Sequence, residues 1–331
     1  MNTVLVVLTH VTAGFVVIAT LLALAFPRRP LLGVSQHWGL QLWQLALLGA
    51  IGGFLVQAWI AIALSGASAV YWSWRLWRRK PAAEVADGAP LLRLVSANLL
   101  HRNSAFDRTL QVISALNADV VVLCEATAAA RQRFGSLGAR FPHALDTCAT
   151  DSLYGIVILS RFPLKLRSRG IGEDDPMPRH LAADVAAEGK IITIVAIHPT
   201  NPLRLSRSDR IPAEFESVAA FCRTAPEDLI LIGDCNAAGW SRCLQDLEKT
   251  ASLANDRRLR PSWPVWLPSL VRLPLDHVWV RGRVALLRAE LGPKFGSDHL
   301  PLIADVGWRQ PEVGSRKSEV GSGRSEQTTA S

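Results

Sequence analysis

From Val4 to Phe26 the chain carries no Asp, Glu, Lys or Arg, and after Arg28 and Arg29 a second run, Leu40 to Trp74, is equally free of charge. A membrane span needs about 20 apolar residues. The first run therefore predicts one transmembrane helix, and the second, too long for one span, predicts two short ones. Gly52-Gly53 or Ser65-Gly66-Ala67-Ser68 is expected near the turn between them. Trp38, Trp43, Trp72, Trp74 and Trp77 are expected to anchor the helix ends at the membrane surface. Residues 1–26 lack the basic leader of a cleaved signal peptide. Three spans place both basic clusters, Arg28-Arg29 and Arg75, Arg78, Arg79 and Lys80, on one side, which the positive-inside rule makes cytoplasmic. Residues 1–80 thus read as a multi-pass region of the cell inner (plasma) membrane, with the lipid bilayer as a partner and the rest of the chain in the cytoplasm.

Residues 81–90 form a Pro/Ala/Gly linker, and 91–308 are long enough to bury a full core. Residues 309–331, rich in Ser, Gly, Glu and Arg, have the composition of a disordered tail. Short β-rich runs recur in the long central part: Leu92–Leu99, Val120–Cys124, Ile156–Leu159, Ile191–Ile197, Leu229–Ile232, His277–Val280 and Leu300–Val306. Several are continuously apolar, the pattern of strands covered on both faces. Between them, Ser104 is placed to cap a helix whose buried face holds Leu110, Ile113 and Leu116. A second helix starts near Pro212, with Phe215, Val218, Ala219 and Cys222 at helical spacing. Strands mixed with outer helices make an α+β sandwich.

Five cysteines without metal-knuckle spacing argue against a disulfide framework and against zinc, and fit a reducing compartment. The net charge of +8 suits an anionic partner such as nucleic acid or phospholipid, although juxtamembrane arginines and the tail account for part of it. Nothing points to an obligate protein partner.

Most of the apolar runs end in a polar residue, and strand ends gathered at one edge commonly build a site. Glu125, with Asn98 beside it, offers hard oxygen ligands of the kind Mg²⁺ prefers. Asp234 and Asn236 stand at i and i+2, so an extended chain would point both the same way. The carboxylate could then handle a water and the amide a phosphate oxygen, but Gly-Asp-x-Asn is equally good turn chemistry. Asp298 and His299 are adjacent and need a local bend to share a site. His198 suits a phosphate contact, Asp276 could orient an imidazole or hold a metal, and Tyr154 could donate a hydroxyl. A solvated Glu and structural histidines are the alternatives for each residue taken singly.

In this order, Asn98, Glu125, Tyr154-Gly155 with Leu159-Ser160-Arg161-Phe162-Pro163, His198-Pro199, Gly233-Asp234-Cys235-Asn236-Ala237, Leu275-Asp276-His277-Val278 and Gly296-Ser297-Asp298-His299-Leu300-Pro301 resemble the endonuclease/exonuclease/phosphatase superfamily, in its membrane-anchored bacterial branch. The resemblance covers essentially all of 91–308. It implies a four-layer αββα sandwich (deoxyribonuclease I-like) preceded by transmembrane helices. It also implies Mg²⁺-dependent hydrolysis, with Mn²⁺ as an alternative, of a phosphodiester or phosphomonoester by in-line attack of an activated water. By the same resemblance Glu125, Asn98 and Asp298 are metal ligands, and Asp234 activates the water. Asn236, His299, His198 and Tyr154 bind the phosphoryl group, and Asp276 orients a histidine or assists the metal. Cys124 and Cys235 depart from the Gln and the Phe or Leu common at these positions. Pro199-Thr200-Asn201-Pro202 also departs from the nuclease pattern, and no DNA-binding insertion is evident. A membrane-anchored phosphoesterase is therefore expected ahead of a tethered endo- or exonuclease, and ahead of a non-catalytic membrane protein with a hydrolase-like domain.

Overall fold

A computed structural model describes residues 3–29, 32–77, 90–148, 155–170, 179–204 and 208–309. The expected linker apart from Pro90, the expected tail apart from Arg309, and Arg78, Arg79, Lys80 and Tyr154 lie outside the described residues. Three N-terminal helices, α1 (Thr3–Ala25), α2 (Gly39–Leu55) and α3 (Trp59–Trp77), pack on one another. The turn between α2 and α3 falls at 56–58, just past Gly52-Gly53, where Gln57 has a φ of 55°. Ser65-Gly66-Ala67-Ser68 instead lies within α3, because Ser65 meets a glycine of the neighbouring helix. A Cβ on Gly49 would come within 2.6 Å of Ser65 Oγ, and one on Gly52 within 2.7 Å of Thr9 Oγ1. Small residues there let the backbones close together.

Both α1 and the stretch Val34–Leu55 are long and apolar enough to cross a membrane, and only 28% of each is buried in the structure. The third helix, which carries Ser65, Ser68, Ser73 and Arg75, does not meet that measure of length and composition. Not every tryptophan faces outward: Trp72 is buried and donates its indole N–H to Thr20 Oγ1 at 3.0 Å. Trp74 and Trp77 are exposed.

The remaining elements run β1 (Leu92–Asn98), α4 (Phe106–Ala115), β2 (Val120–Ala126), α5 (Ala128–Phe134), β3 (His143–Asp146), β4 (Gly155–Ser160), β5 (Leu164–Arg169), β6 (His180–Ala187), β7 (Lys190–Ile197), α6 (Ile211–Thr224), β8 (Leu229–Asp234), α7 (Arg242–Thr250), β9 (Asp276–Arg281), β10 (Val284–Leu291) and β11 (Leu302–Trp308). One sheet has the order β10-β11-β1-β2-β4-β3 and the other β5-β6-β7-β8-β9. The period of two decides the layering. In β2, Val120, Val122 and Cys124 face the core between the sheets, while Val121 and Leu123 face the side that α4 and α5 cover. Helices α6 and α7 cover the second sheet. The result is the expected αββα sandwich.

Helix α6 buries Phe215, Val218, Ala219 and Cys222 as their spacing predicts. At α4 the cap differs from expectation: Ala105 occupies that position, and Asn103 Oδ1, not Ser104, accepts the Ala105 N–H at 2.7 Å. All five cysteines are free thiols.

Topology gathers the polar strand ends. Strands β1 and β2 are parallel, and so are β7 and β8, so Asn98, Glu125, His198 and Asp234 all fall at or just beyond C-terminal ends. Strands β11 and β9 run antiparallel to β1 and β8, which brings the N-terminal ends near Asp298-His299 and Asp276 to the same edge.

Candidate active site

At this edge one amide joins the two sheets. Asn98 Nδ2 donates to Glu125 Oε1 at 3.1 Å and to Asp234 Oδ2 at 2.8 Å, while its Oδ1 accepts from Leu100 N at 2.9 Å. Glu125 sits at a bulge in the β2–β4 pairing with a φ of 55°. A bulge re-aims a side chain at the end of a ladder, and a left-handed Glu carries backbone strain that a site can justify. Its Oε2 accepts from both the backbone N and the Nδ1 of His101, each at 3.0 Å. Burial opposes ionisation of Glu125, but His198, the two His101 bonds and Asn98 outweigh it and hold the carboxyl at about 2. Burial in turn pulls His198 down to about 4. That imidazole is neutral at pH 7, so His101 and Asn98 carry the stabilisation there.

Asp234 is fully buried, and its Oδ1 accepts from Asn236 N at 2.8 Å. This is an Asx turn, and Asn236 adopts a φ of 47°. The pair is therefore not extended. The turn and the site coincide, because it swings Asn236 into the pocket wall. One N–H of its amide goes to the Pro199 carbonyl at 3.0 Å. Behind that carbonyl, the buried Arg179–Glu214 ion pair at 2.8 Å fixes the turn, with Glu214 accepting from Thr200 N and Oγ1 at 2.7 Å each.

The bend at 296–299 lets Asp298 and His299 share the edge. Gly296, at a φ of 104°, makes it, and a Cβ there would meet the Ala105 Cβ at 2.9 Å. Asp276 Oδ2 lies 2.9 Å from His299 Nδ1, and His299 Nε2 lies 3.7 Å from Asp234 Oδ2. Burial favours neutral His299, but the Asp276 and Asp234 carboxylates outweigh it and push its pKa well up. Burial raises Asp234 as well; Asp276 adds to this and His299 opposes it. Asp298 Oδ2 accepts the Trp263 indole N–H at 2.8 Å.

Glu125, Asn236, Asp298 and His299 line one pocket. His198 is buried behind it, with Nε2 3.9 Å from Asp234 Oδ2. Asn98 and Asp276 also back the wall rather than form it. His101, Glu214 and the Ser297 hydroxyl, which accepts the His299 N–H at 3.1 Å, were not singled out in the sequence. Only His101 left a signal, three residues beyond Asn98 in the same strand-end turn.

The donor set fits a divalent cation. Glu125 is ionised and partly open, Asp298 shares its pocket, and both are hard oxygen donors. The Asp234, Asp276 and His299 ligand atoms also lie within 4.8 Å of one another, and Asp276 Oδ1 is buried without a hydrogen-bond partner among the described residues. Such an oxygen calls for a water or a cation.

The profile of the Endonuclease/Exonuclease/phosphatase family matches residues 95–299, from β1 to His299. The chain belongs to that family. Members are hydrolases of phosphate esters. Humanized TDP2 of D. rerio is similar in structure, with a TM-score of 0.54 at 18% identity over 65% of this chain and 98% of that one. The 3′ phosphatase NExo of Neisseria, bound to a product DNA hairpin, gives 0.54 at 19% identity over 66% and 100%. A Staphylococcus aureus beta toxin variant with bound magnesium ions gives 0.51 at 16% over 65% and 99%. These likenesses establish the shared sandwich. No curated protein matches the chain in sequence.

Proposed function

We propose that the protein is a membrane-anchored, divalent-metal-dependent phosphoesterase. The observation that carries this reading is the Asn98 bridge, which joins a metal-ligand carboxylate, Glu125, to a buried carboxylate, Asp234, beside the Asp276–His299 pair. Glu125 and Asp298, with Asn98 beside them, would hold Mg²⁺ or Mn²⁺. A bound cation supplies Lewis-acid polarisation of a phosphoryl oxygen. Asp234, its pKa raised toward neutrality by burial, orients the attacking water and takes its proton. His299, held charged by two carboxylates, donates from Nε2 to the phosphoryl group, while its Nδ1–H donates to Asp276, which fixes the orientation of the ring. The second N–H of the Asn236 amide donates to the same group, and His198 backs Asp234 from within the core. Tyr154 is proposed as a further hydroxyl donor.

The helical bundle is read as the anchor. Mostly exposed apolar faces on α1 and α2 support this. Arg28 pairs with Asp246 at 2.8 Å, and Arg75 donates to the Trp240 carbonyl at 2.7 Å. Both basic helix ends therefore meet the sandwich on one side of the proposed anchor, and by the positive-inside rule that side is proposed as the cytoplasm. The test is hydrolysis of bis(p-nitrophenyl) phosphate and p-nitrophenyl phosphate by the full chain in detergent. Mg²⁺ should support turnover and chelation should abolish it; equal rates with and without metal would contradict the reading.

A further inference from the structure

The active-site pocket is not closed by the sandwich alone. Its second wall is Val34, His37 and Trp38, from the 3₁₀ turn that joins α1 to α2. That wall is fixed in place. Trp240 donates its indole N–H to the Gln36 carbonyl at 2.6 Å, Arg242 N donates to Gln36 Oε1 at 2.8 Å, and Ala238 N donates to His37 Nδ1 at 3.1 Å. These donors follow directly on Asn236, so the loop bearing a phosphate-facing amide is the loop the apolar bundle grips.

The rest of the lining is mixed: beside Glu125, Asn236, Asp298 and His299 it carries the apolar side chains of Val34, Trp38, Leu203 and Leu273. Among the described residues lining it there is no Lys or Arg, although the chain carries 36 of them. A groove for a polyanionic nucleic acid would be basic. Leu203 in this lining, and outside it Leu270 and Trp266, whose ring lies 6.2 Å from that of the pocket's Trp263, expose large apolar side chains. The 270–272 segment is tied to α2 through Gln44 Nε2 to the Leu270 carbonyl at 3.4 Å and Gln41 Nε2 to the Arg272 carbonyl at 3.2 Å. The exposed rim thus stands against the apolar helices.

We infer that the pocket takes a membrane lipid with a phosphate-ester head group, whose chain enters along Val34, Trp38, Leu203 and Leu273 while the phosphate reaches Asn236 and His299. This rests on the phosphoesterase reading and names its substrate class. The lipid does not leave the bilayer fully: its head group slides past the Trp266–Leu270 rim, and the 3₁₀ turn serves as both anchor and binding wall.

The test compares two chromogenic diesters of identical chemistry, p-nitrophenyl dodecyl phosphate and p-nitrophenyl methyl phosphate, with dodecyl and methyl phosphate as the monoester pair. Full chain in detergent micelles with Mg²⁺ is used throughout. The dodecyl ester should have a kcat/KM higher by about thirtyfold or more, since burying even a few methylenes gives that much. Leu203→Asn should cut this ratio at least about tenfold. Leu270→Glu, on the rim, should lower dodecyl turnover and leave the methyl ester unchanged. A high ratio untouched by either variant would mean that the chain partitions only into the micelle, and would overturn the inference. A ratio near one with both esters cleaved, or cleavage of plasmid DNA in place of the dodecyl esters, would overturn it and leave the phosphoesterase reading standing. No metal-dependent turnover of any ester would end both.

Discussion

The Asp276 carboxylate lies 2.9 Å from His299 Nδ1 and leaves its other oxygen buried without a partner among the described residues. Register explains the first contact: Asp276 opens β9 directly opposite Asp234, and the bend at 296–299 lowers His299 between them. Asp276→Asn keeps the shape but loses the charge that holds the His299 proton. Turnover is expected to fall by about 100-fold or more, with the unfolding midpoint little changed. Steady-state kinetics on a soluble ester, alongside thermal unfolding, checks this.

His101 contributes two of the hydrogen bonds that fix Glu125. Loss of a group that orients a metal ligand typically costs about 10–100-fold in affinity. His101→Ala is therefore expected to raise the Mg²⁺ concentration for half-maximal activity by roughly that factor, leaving kcat at saturating metal largely intact. A metal titration of activity reads it directly.

A third prediction concerns the junction of bundle and sandwich. Trp240 is buried against Ala19, Ala23, Leu42 and Trp72, and its indole reaches the Gln36 carbonyl at 2.6 Å. Trp240→Ala should cost about 3–5 kcal/mol as a large-to-small change in a packed interior. Chemical unfolding of the full chain in detergent measures the loss. No loss would mean that the bundle does not grip the sandwich through this residue.

Acid sensitivity follows from His180, which burial holds at about 4, below its ordinary 6.5. Its Nδ1 has no hydrogen-bond partner among the described residues, Nε2 lies 2.9 Å from Ser168 Oγ, and the ring sits on Phe221. Below pH 6.5 the unfolded chain takes up a proton that the folded chain refuses. Stability should therefore fall as pH drops from about 6.5 towards 4, by on the order of 3 kcal/mol from this group. His180→Gln should flatten that part of the stability–pH curve, and an unchanged slope would contradict the assignment.

The sequence revealed the strands that are apolar on both faces and the residues at their ends, because burial on two sides writes an unbroken run such as Val120–Cys124. It hid β3, β5, β6 and β10; in the last three, alternation is interrupted by charges (Arg167 with Asp184, Arg288 with Glu290) that pair across or along the sheets. Every candidate catalytic or metal-ligating residue singled out from the sequence and described in the structure falls at one edge, since parallel pairs with antiparallel neighbours leave them no other place, whereas Ser160-Arg161 closes β4 at the opposite edge beside Asp119. What the sequence could not convey is contact between distant segments. Nothing local to Gln36 or His37 says that they bind a loop some 200 positions away, and nothing at Glu214 says that it fixes the Pro199 carbonyl. The extended reading of Asp234 and Asn236 failed for a local reason, the Asx turn, whose signal was present in Gly-Asp-Cys-Asn.

The most direct measurement of the central proposal is the Mg²⁺-dependent kcat of the full chain on p-nitrophenyl methyl phosphate, set beside Asp234→Asn. Asn has the shape of Asp, and its single amide oxygen still accepts one of the two N–H groups that Asp234 takes from Asn98 and Asn236, but it cannot take a proton from water. A fall of about 1,000-fold or more at an unchanged unfolding midpoint is expected. Equal rates in the two proteins would remove Asp234 from the chemistry, and with it the assignment of this edge as the site of phosphate-ester hydrolysis.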